Sequence, residues 1–223
     1  MPVAANTMLG KAVKGWKFEP VVIDGKTVRA RTKMSVRIVA KPIDENRAEV
    51  RIASANFGEG GNPGEFITSK ELAPPKYPEM AAMNGVKGTV YLVVRIGRDG
   101  TVEDVIAEQV NLKVVDHESG MTRWRNMLAK TAISTARRWT FNPPTVGEEV
   151  GKAFWLARVP VDFLLHDEKL TPYGQWEAYI PGPRASTPWL GAMDAALGAD
   201  AVAGGGMHPI GSGPKLLTPL DGT

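Results

Sequence analysis

The acid–base candidates of this chain meet at Asp116-His117-Glu118, where an imidazole sits between two carboxylates, the residue types that a general acid–base pair or a metal site uses. Neighbours in sequence project in different directions, however, and His166 and His208 lie far along the chain, so the segment reads as a solvated loop, with a hydrolase built on His117 as the rival reading. The chain has no cysteine, which excludes disulfide frameworks, thiolate nucleophiles and cysteine-ligated zinc. Gly97 to Gly100 contains neither Gly-x-Gly-x-x-Gly nor Gly-Lys-Ser/Thr, so it offers no phosphate cradle. No enzymatic activity and no cofactor are expected. The cations Arg29, Arg31, Lys33 and Arg37 suit an acidic envelope polymer such as lipopolysaccharide or cell wall, although such a row is more often a strand face kept soluble by its charges.

What remains is chemistry of the main chain. From Trp155 the odd positions Trp155, Ala157, Val159, Val161, Phe163 and Leu165 are apolar, whereas Arg158, Pro160 and Asp162 share the opposite face, which is the period of a strand. Proline brings no amide to a ladder and is confined to strand edges, first residues or bulges. The strand is therefore expected at a sheet edge. A free edge recruits an extended peptide by strand addition, main-chain bonds giving affinity and side-chain pockets selectivity. The same proline also protects an edge from pairing, and the pattern leaves both readings open.

The elements that must position this edge can be read from the preceding residues. Pro74-Pro75-Lys76-Tyr77-Pro78 cannot lie within a helix, but Pro78 suits the first turn of a short one running to Asn84 and ended by Gly85. Val90, Leu92, Val94 and Ile96 alternate with Thr89, Tyr91, Val93 and Arg95, giving a strand with one face on a core. Asp99-Gly100 makes a hairpin turn. Val102 to Val110 returns as a strand in which Val105 is out of phase with Val102, a mismatch that a bulge would repair. Between Thr122 and Trp139 the positions Trp124, Leu128, Ala132, Thr135, Ala136 and Trp139 follow helical spacing, and Pro143-Pro144 prevents continuation.

With 223 residues and 43% hydrophobic content, the chain can build one ordinary core or two small ones. The net charge of +3 is too mild to propose a nucleic-acid partner. Its distribution is informative: residues 1–56 hold 11 Lys or Arg against 5 Asp or Glu, so the basic character belongs to the N-terminal piece. The run Gly58 to Gly64 favours turns and reads as a linker. The Gly-, Pro- and Ala-rich tail is expected to be largely disordered. No stretch approaches the roughly 20 apolar residues of a membrane span, and the N-terminus lacks the pattern of an export signal.

The order helix, strand, Asp-Gly turn, strand, helix, Arg-Arg-Trp, proline, strand resembles the TonB C-terminal domain family over Pro74 to Leu165. The resemblance rests on Pro75-Lys76-Tyr77-Pro78 with Ala82 and Gly85, on Gly88-Thr89-Val90, and on Gly97-Arg98-Asp99-Gly100-Thr101-Val102. It continues through Ala136-Arg137-Arg138-Trp139-Thr140-Phe141-Asn142-Pro143, Gly147 and Val159-Pro160-Val161-Asp162-Phe163. It implies an α+β fold, a small antiparallel sheet of about three strands with two helices. It also implies that the last strand, through Arg158, Val159, Pro160, Val161, Asp162 and Phe163, pairs with a receptor segment called the TonB box, with Tyr77 and Pro78 near the binding edge. The family's Gln-Pro-x-Tyr-Pro motif has Pro74 at its glutamine position here, so a contact made by that glutamine is lost.

Lys11 to Pro20 parallels Ser134 to Pro143, with Trp16 and Trp139 separated by 123 residues, which suggests tandem domains. The expected organisation is therefore a partial copy at 1–57 (a helix end and a β-hairpin), a linker at 58–71, a complete domain at 72–167 and a flexible tail at 168–223. The first copy lacks about 50 residues before its tryptophan, by comparison with the complete copy. A two-stranded hairpin is marginal alone, so it is expected to dock on the central domain or to be completed by sequence upstream. The implied role is that of a periplasmic, inner-membrane-associated component of the Gram-negative envelope. Its implied partners are a TonB-dependent outer-membrane receptor, the inner-membrane proton-channel motor where an upstream anchor exists, and a second copy of the chain through sheet edges. The alternative is an envelope scaffolding module that reuses the fold without energy transduction.

Overall fold

The computed structural model describes residues 2–23, 25–45, 47–58, 64–166, 168–172, 174–191, 194, 198–202 and 204–220. Residues 59–63 of the expected linker 58–71 lie outside the described residues, and its end forms a strand, Thr68–Glu71, with Ile67 buried before it. In chain order the elements are α1 (Pro2–Gly15), β1 (Val22–Ile23), β2 (Lys26–Thr27), β3 (Met34–Pro42), β4 (Ala48–Phe57) and β5 (Thr68–Glu71), followed by α2 (Glu79–Met83), β6 (Gly88–Gly97) and β7 (Val102–Leu112). They continue with α3 (Glu118–Ala136), β8 (Thr140–Asn142), β9 (Phe154–Phe163) and β10 (His208–Pro209), and short 3-10 turns lie at Glu148–Gly151 and Ala199–Ala201. The fold is α+β, built on an antiparallel sheet in the order β10-β9-β6-β7.

The β6–β7 hairpin closes at Asp99-Gly100, as its residue types predict. Asp99 Oδ1 accepts from the Thr101 amide at 3.0 Å and its hydroxyl at 2.8 Å, and Gly100 supplies φ 79°. These bonds hold the exposed Asp99 carboxyl below the usual carboxylate range. The phase mismatch in β7 is resolved by a bulge: Ile96 faces Val102 while Arg95 faces Asp104, so Glu103 is skipped and Val105 joins Val102 on the inner face. A second shift skips Glu108, between the pairs Leu92–Ala107 and Tyr91–Gln109.

The inner face carries Val90, Leu92, Val94 and Ile96 opposite Val161, Val159, Ala157 and Trp155 respectively, all buried. Trp124, Leu128, Ala132 and Ala136 of α3 cover it, and Trp139 locks the helix end by donating its indole N–H to the Ala73 carbonyl at 2.8 Å. The pairing of β5 with β8, which the sequence pattern does not announce, closes the side of this core near Phe141.

Two expectations require correction. β6 is buried on both faces rather than one, and the tail is packed over much of its length. Ile180 and Leu112 exchange both backbone bonds, at 3.0 and 2.8 Å, and the Ala185 amide reaches the Glu108 carbonyl at 2.7 Å, so the tail runs beside β7. It then crosses the outer face at Ala199–Ala201, reaches β9 as β10, and meets the N-terminal segment where the Leu217 amide donates to the Lys17 carbonyl at 2.8 Å. Composition averages over the tail, whereas the edge groups of a sheet need only a few correctly placed backbone partners.

Of the cations expected on one strand face, Arg29, Arg31 and Lys33 precede the strand and only Arg37 lies in it, because β3 runs from Met34 to Pro42, where it pairs with β4. This hairpin contacts the Ala199–Ala201 turn, and Arg37 Nε lies 3.4 Å from Asp200 Oδ2. Trp16 and Phe18 stand edge-on to Phe57 at centroid distances of 5.7 and 4.8 Å.

Candidate functional site

Register assigns each residue of β9 to a face. Arg158 lies opposite Val93, Pro160 opposite Tyr91 and Asp162 opposite Thr89, so these three share the outer face, whereas Val159, Val161 and Phe163 enter the core. Tyr77 joins the C-terminal end of the strand: its ring meets Phe163 edge-on at 5.4 Å and its hydroxyl donates to the Val86 carbonyl. Burial, and then the Glu168 carboxylate, push the Tyr77 phenol above its ordinary value, which keeps that donor protonated. Pro78 occupies the extended position that starts α2, beside Tyr77 but outside this ring contact.

The polar side chains of β9 are already engaged. Asp162 Oδ1 accepts from the Thr89 hydroxyl at 2.7 Å. Arg158, 4% exposed, donates from Nε to Glu108 Oε2 at 2.9 Å and from Nη2 to the Asp194 carbonyl at 2.8 Å. Glu108 also accepts from Arg184, so one carboxylate fastens β9 and the tail to β7. The extra position of the second bulge carries this carboxylate, which makes the skipped residue a structural hub.

A second polar hub lies on the same face. Asp200 Oδ2 accepts from Gln109 at 2.9 Å, Asn111 at 3.1 Å and the Tyr179 hydroxyl at 3.0 Å. Burial first, and the neighbouring Asp200 carboxylate among the further causes, push the phenols of Tyr91 and Tyr179 well above the usual tyrosine range. Beside this hub a cleft of about 400 Å³ opens between the β3–β4 hairpin, α1 and the sheet, lined among others by Met34, Arg37, Tyr91, Asp162 and Trp176. Sequence reasoning missed Glu108, Arg184 and Asp200. The first is hidden in a strand of blurred alternation, and the other two lie in a segment without periodicity.

The backbone edge of β9 is partly occupied. His208 lies opposite Arg158 and Pro209 opposite Ala157, and the Ile210 amide donates to the Leu156 carbonyl at 2.9 Å. Because outward and inward groups alternate along an antiparallel strand, the outward positions are Leu156, Arg158, Pro160 and Asp162. The tail takes the first two, and Pro160 has no amide.

The His117 region takes a different form from a catalytic cluster. His117 is exposed at the start of α3, and the Asp116 carboxylate accepts from the Trp124 indole at 2.8 Å and the His117 amide at 2.7 Å. These bonds lower the Asp116 pKa, the indole contact most. Among the described residues no group of three or more His, Cys, Asp or Glu side chains could hold a metal ion.

The family model for the Gram-negative bacterial TonB protein C-terminal matches residues 73–165. Two curated relatives, each called Protein TonB, from Xanthomonas campestris pv. campestris strains B100 and ATCC 33913, are both 38% identical over 100 residues, covering 45% of this chain and 39% of theirs. The chain thus spans about two fifths of the length of the curated relatives it matches. No solved structure matches it.

Proposed function

From the premise that residues 73–165 form a TonB C-terminal domain, we propose that the protein is a TonB-like component of the Gram-negative envelope that binds an extended segment of an outer-membrane receptor along β9 and so supports energised transport. The observation that carries this reading is that the matched segment contains β6, β7 and β9, with the residues from Arg158 to Phe163 on the last strand and Tyr77 packed against its end. The partner is the TonB box of a TonB-dependent receptor, and the action is binding rather than catalysis. Main-chain bonds along β9 supply the affinity, and the neighbouring side chains select the segment. Coupling to the inner-membrane proton-channel motor requires a membrane-spanning helix, and no helix among the described residues is long and apolar enough to cross a membrane.

One observation favours the scaffolding alternative: the tail lies on both flanks of the three strands β9, β6 and β7, at Ile180–Ala185 beside β7 and at His208–Ile210 beside β9. Titration of isotope-labelled protein with synthetic TonB-box peptides separates the two readings. Resonance shifts concentrated at Arg158–Phe163 and Tyr77 are expected for receptor binding. Unchanged spectra at millimolar peptide reject it in favour of scaffolding.

A further inference from the structure

We infer that the segment Met207–Ile210 is a resident strand that gates the β9 edge, so that an external segment enters by displacing the chain's own tail. The inference rests on the strand-addition reading and adds the regulation of that site.

Four features of the structure carry it. The tail sits on the backbone groups that strand addition needs, with His208 opposite Arg158 and the Ile210 amide on the Leu156 carbonyl. The ladder is only two residues long, the Pro209–Ala157 pair turns its backbone groups away from the seam, and Pro160 has no amide to offer where the next outward bond would form, so the contact is short of main-chain bonds. Its anchor is a side chain rather than a ladder: Met207 is 7% exposed and belongs to the main core. Finally, a cleft of about 310 Å³ flanks the junction, lined among others by Phe66, by Phe154 and Leu156 of β9, and by Pro209 and Ile210 of the tail. An extended peptide with an apolar side chain for the Met207 seat and a second apolar group for this cleft fits the edge once the tail has left. A competent state that is only fractionally populated weakens apparent affinity by that fraction, and an internal occupant acts in this way.

Ile210→Pro removes the amide that holds the Leu156 carbonyl without touching β9. Two probes are titrated into the wild-type chain and this variant by isothermal calorimetry: a TonB-box peptide, and a synthetic peptide with the sequence of residues 204–213. The expected result is that both bind the variant roughly 2- to 10-fold more tightly than wild type, the range that one net hydrogen bond corresponds to. If the TonB-box peptide binds both proteins equally, the gate is overturned while strand addition stands. If the tail peptide gains affinity for the variant but the TonB-box peptide binds neither protein, the gate stands and the receptor reading falls. If neither peptide binds the variant, the tail is a fixed part of the fold and the inference fails. A second variant guards against misfolding: because the chain has no native cysteine, Ala157→Cys with Pro209→Cys can lock the facing pair. Its oxidised form should lose peptide binding and regain it on reduction, and equal binding by the two forms overturns the gate.

Discussion

Glu108 shows how much one side chain decides here. Its carboxylate is 1% exposed and is held between Arg158, itself buried, and the more exposed Arg184. Removing one partner of a buried pair leaves an uncompensated charge, so Glu108→Ala should cost about 3–5 kcal/mol in urea denaturation. Arg184→Ala should cost less, about 1 kcal/mol, because solvent screens its guanidinium. Tyr91 and Tyr179 make a pH prediction at the same scale. Their folded pKa values are raised, so the neutral phenols contribute stability that is fully present below the unfolded value of about 10. Above that value ionisation favours the unfolded chain, and the contribution falls away as pH rises toward the folded values. Tyr179→Phe should flatten the loss of thermal stability between about pH 10 and 12, and an unchanged slope would contradict this assignment.

Among the elements, the β6–β7 turn depends on Gly100. A Cβ built there would lie 2.2 Å from the Phe141 carbonyl oxygen, and φ 79° disfavours a side chain independently. Gly100→Val should destabilise by about 2 kcal/mol or more and loosen β8, which Phe141 joins to Gly100 through its amide at 2.9 Å. Faster amide exchange at Phe141 is the readout. The same element records how bulges were legible: Val105 out of phase in the sequence called for one, and the skipped residue is Glu103. The second bulge, at Glu108, left no such signature, because its purpose lies in contacts with Arg158 and Arg184.

At the scale of the molecule, the tail laces the sheet to the N-terminal hairpin. Asp200 joins them, taking bonds from Gln109, Asn111 and Tyr179 while facing Arg37 of β3. Asp200→Ala should therefore release the hairpin: trypsin cleavage after Arg37 should accelerate several-fold while the core retains its fold, as read by mass spectrometry. Equal cleavage rates would show that other contacts suffice. The hairpin is short of partners on its own, which makes its stability dependent on this contact.

Elements whose signals are local were legible in the chain. Alternation marked the strands β6 and β9, Asp99-Gly100 the turn, and helical spacing with the double proline α3, whereas the free edge expected from Pro160 carries β10 beside its Leu156–Arg158 end. Each of these arises within about 20 residues through backbone geometry and the period of its apolar positions. What lies on that edge and on the outer face depends on contacts between distant parts of the chain. Ile180, Asp200, Met207 and Ile210 belong to no period, and their partners, Leu112, Gln109, the core and Leu156, are distant in the chain. A backbone group finds its acceptor by position in space, and no spacing along the chain encodes that position.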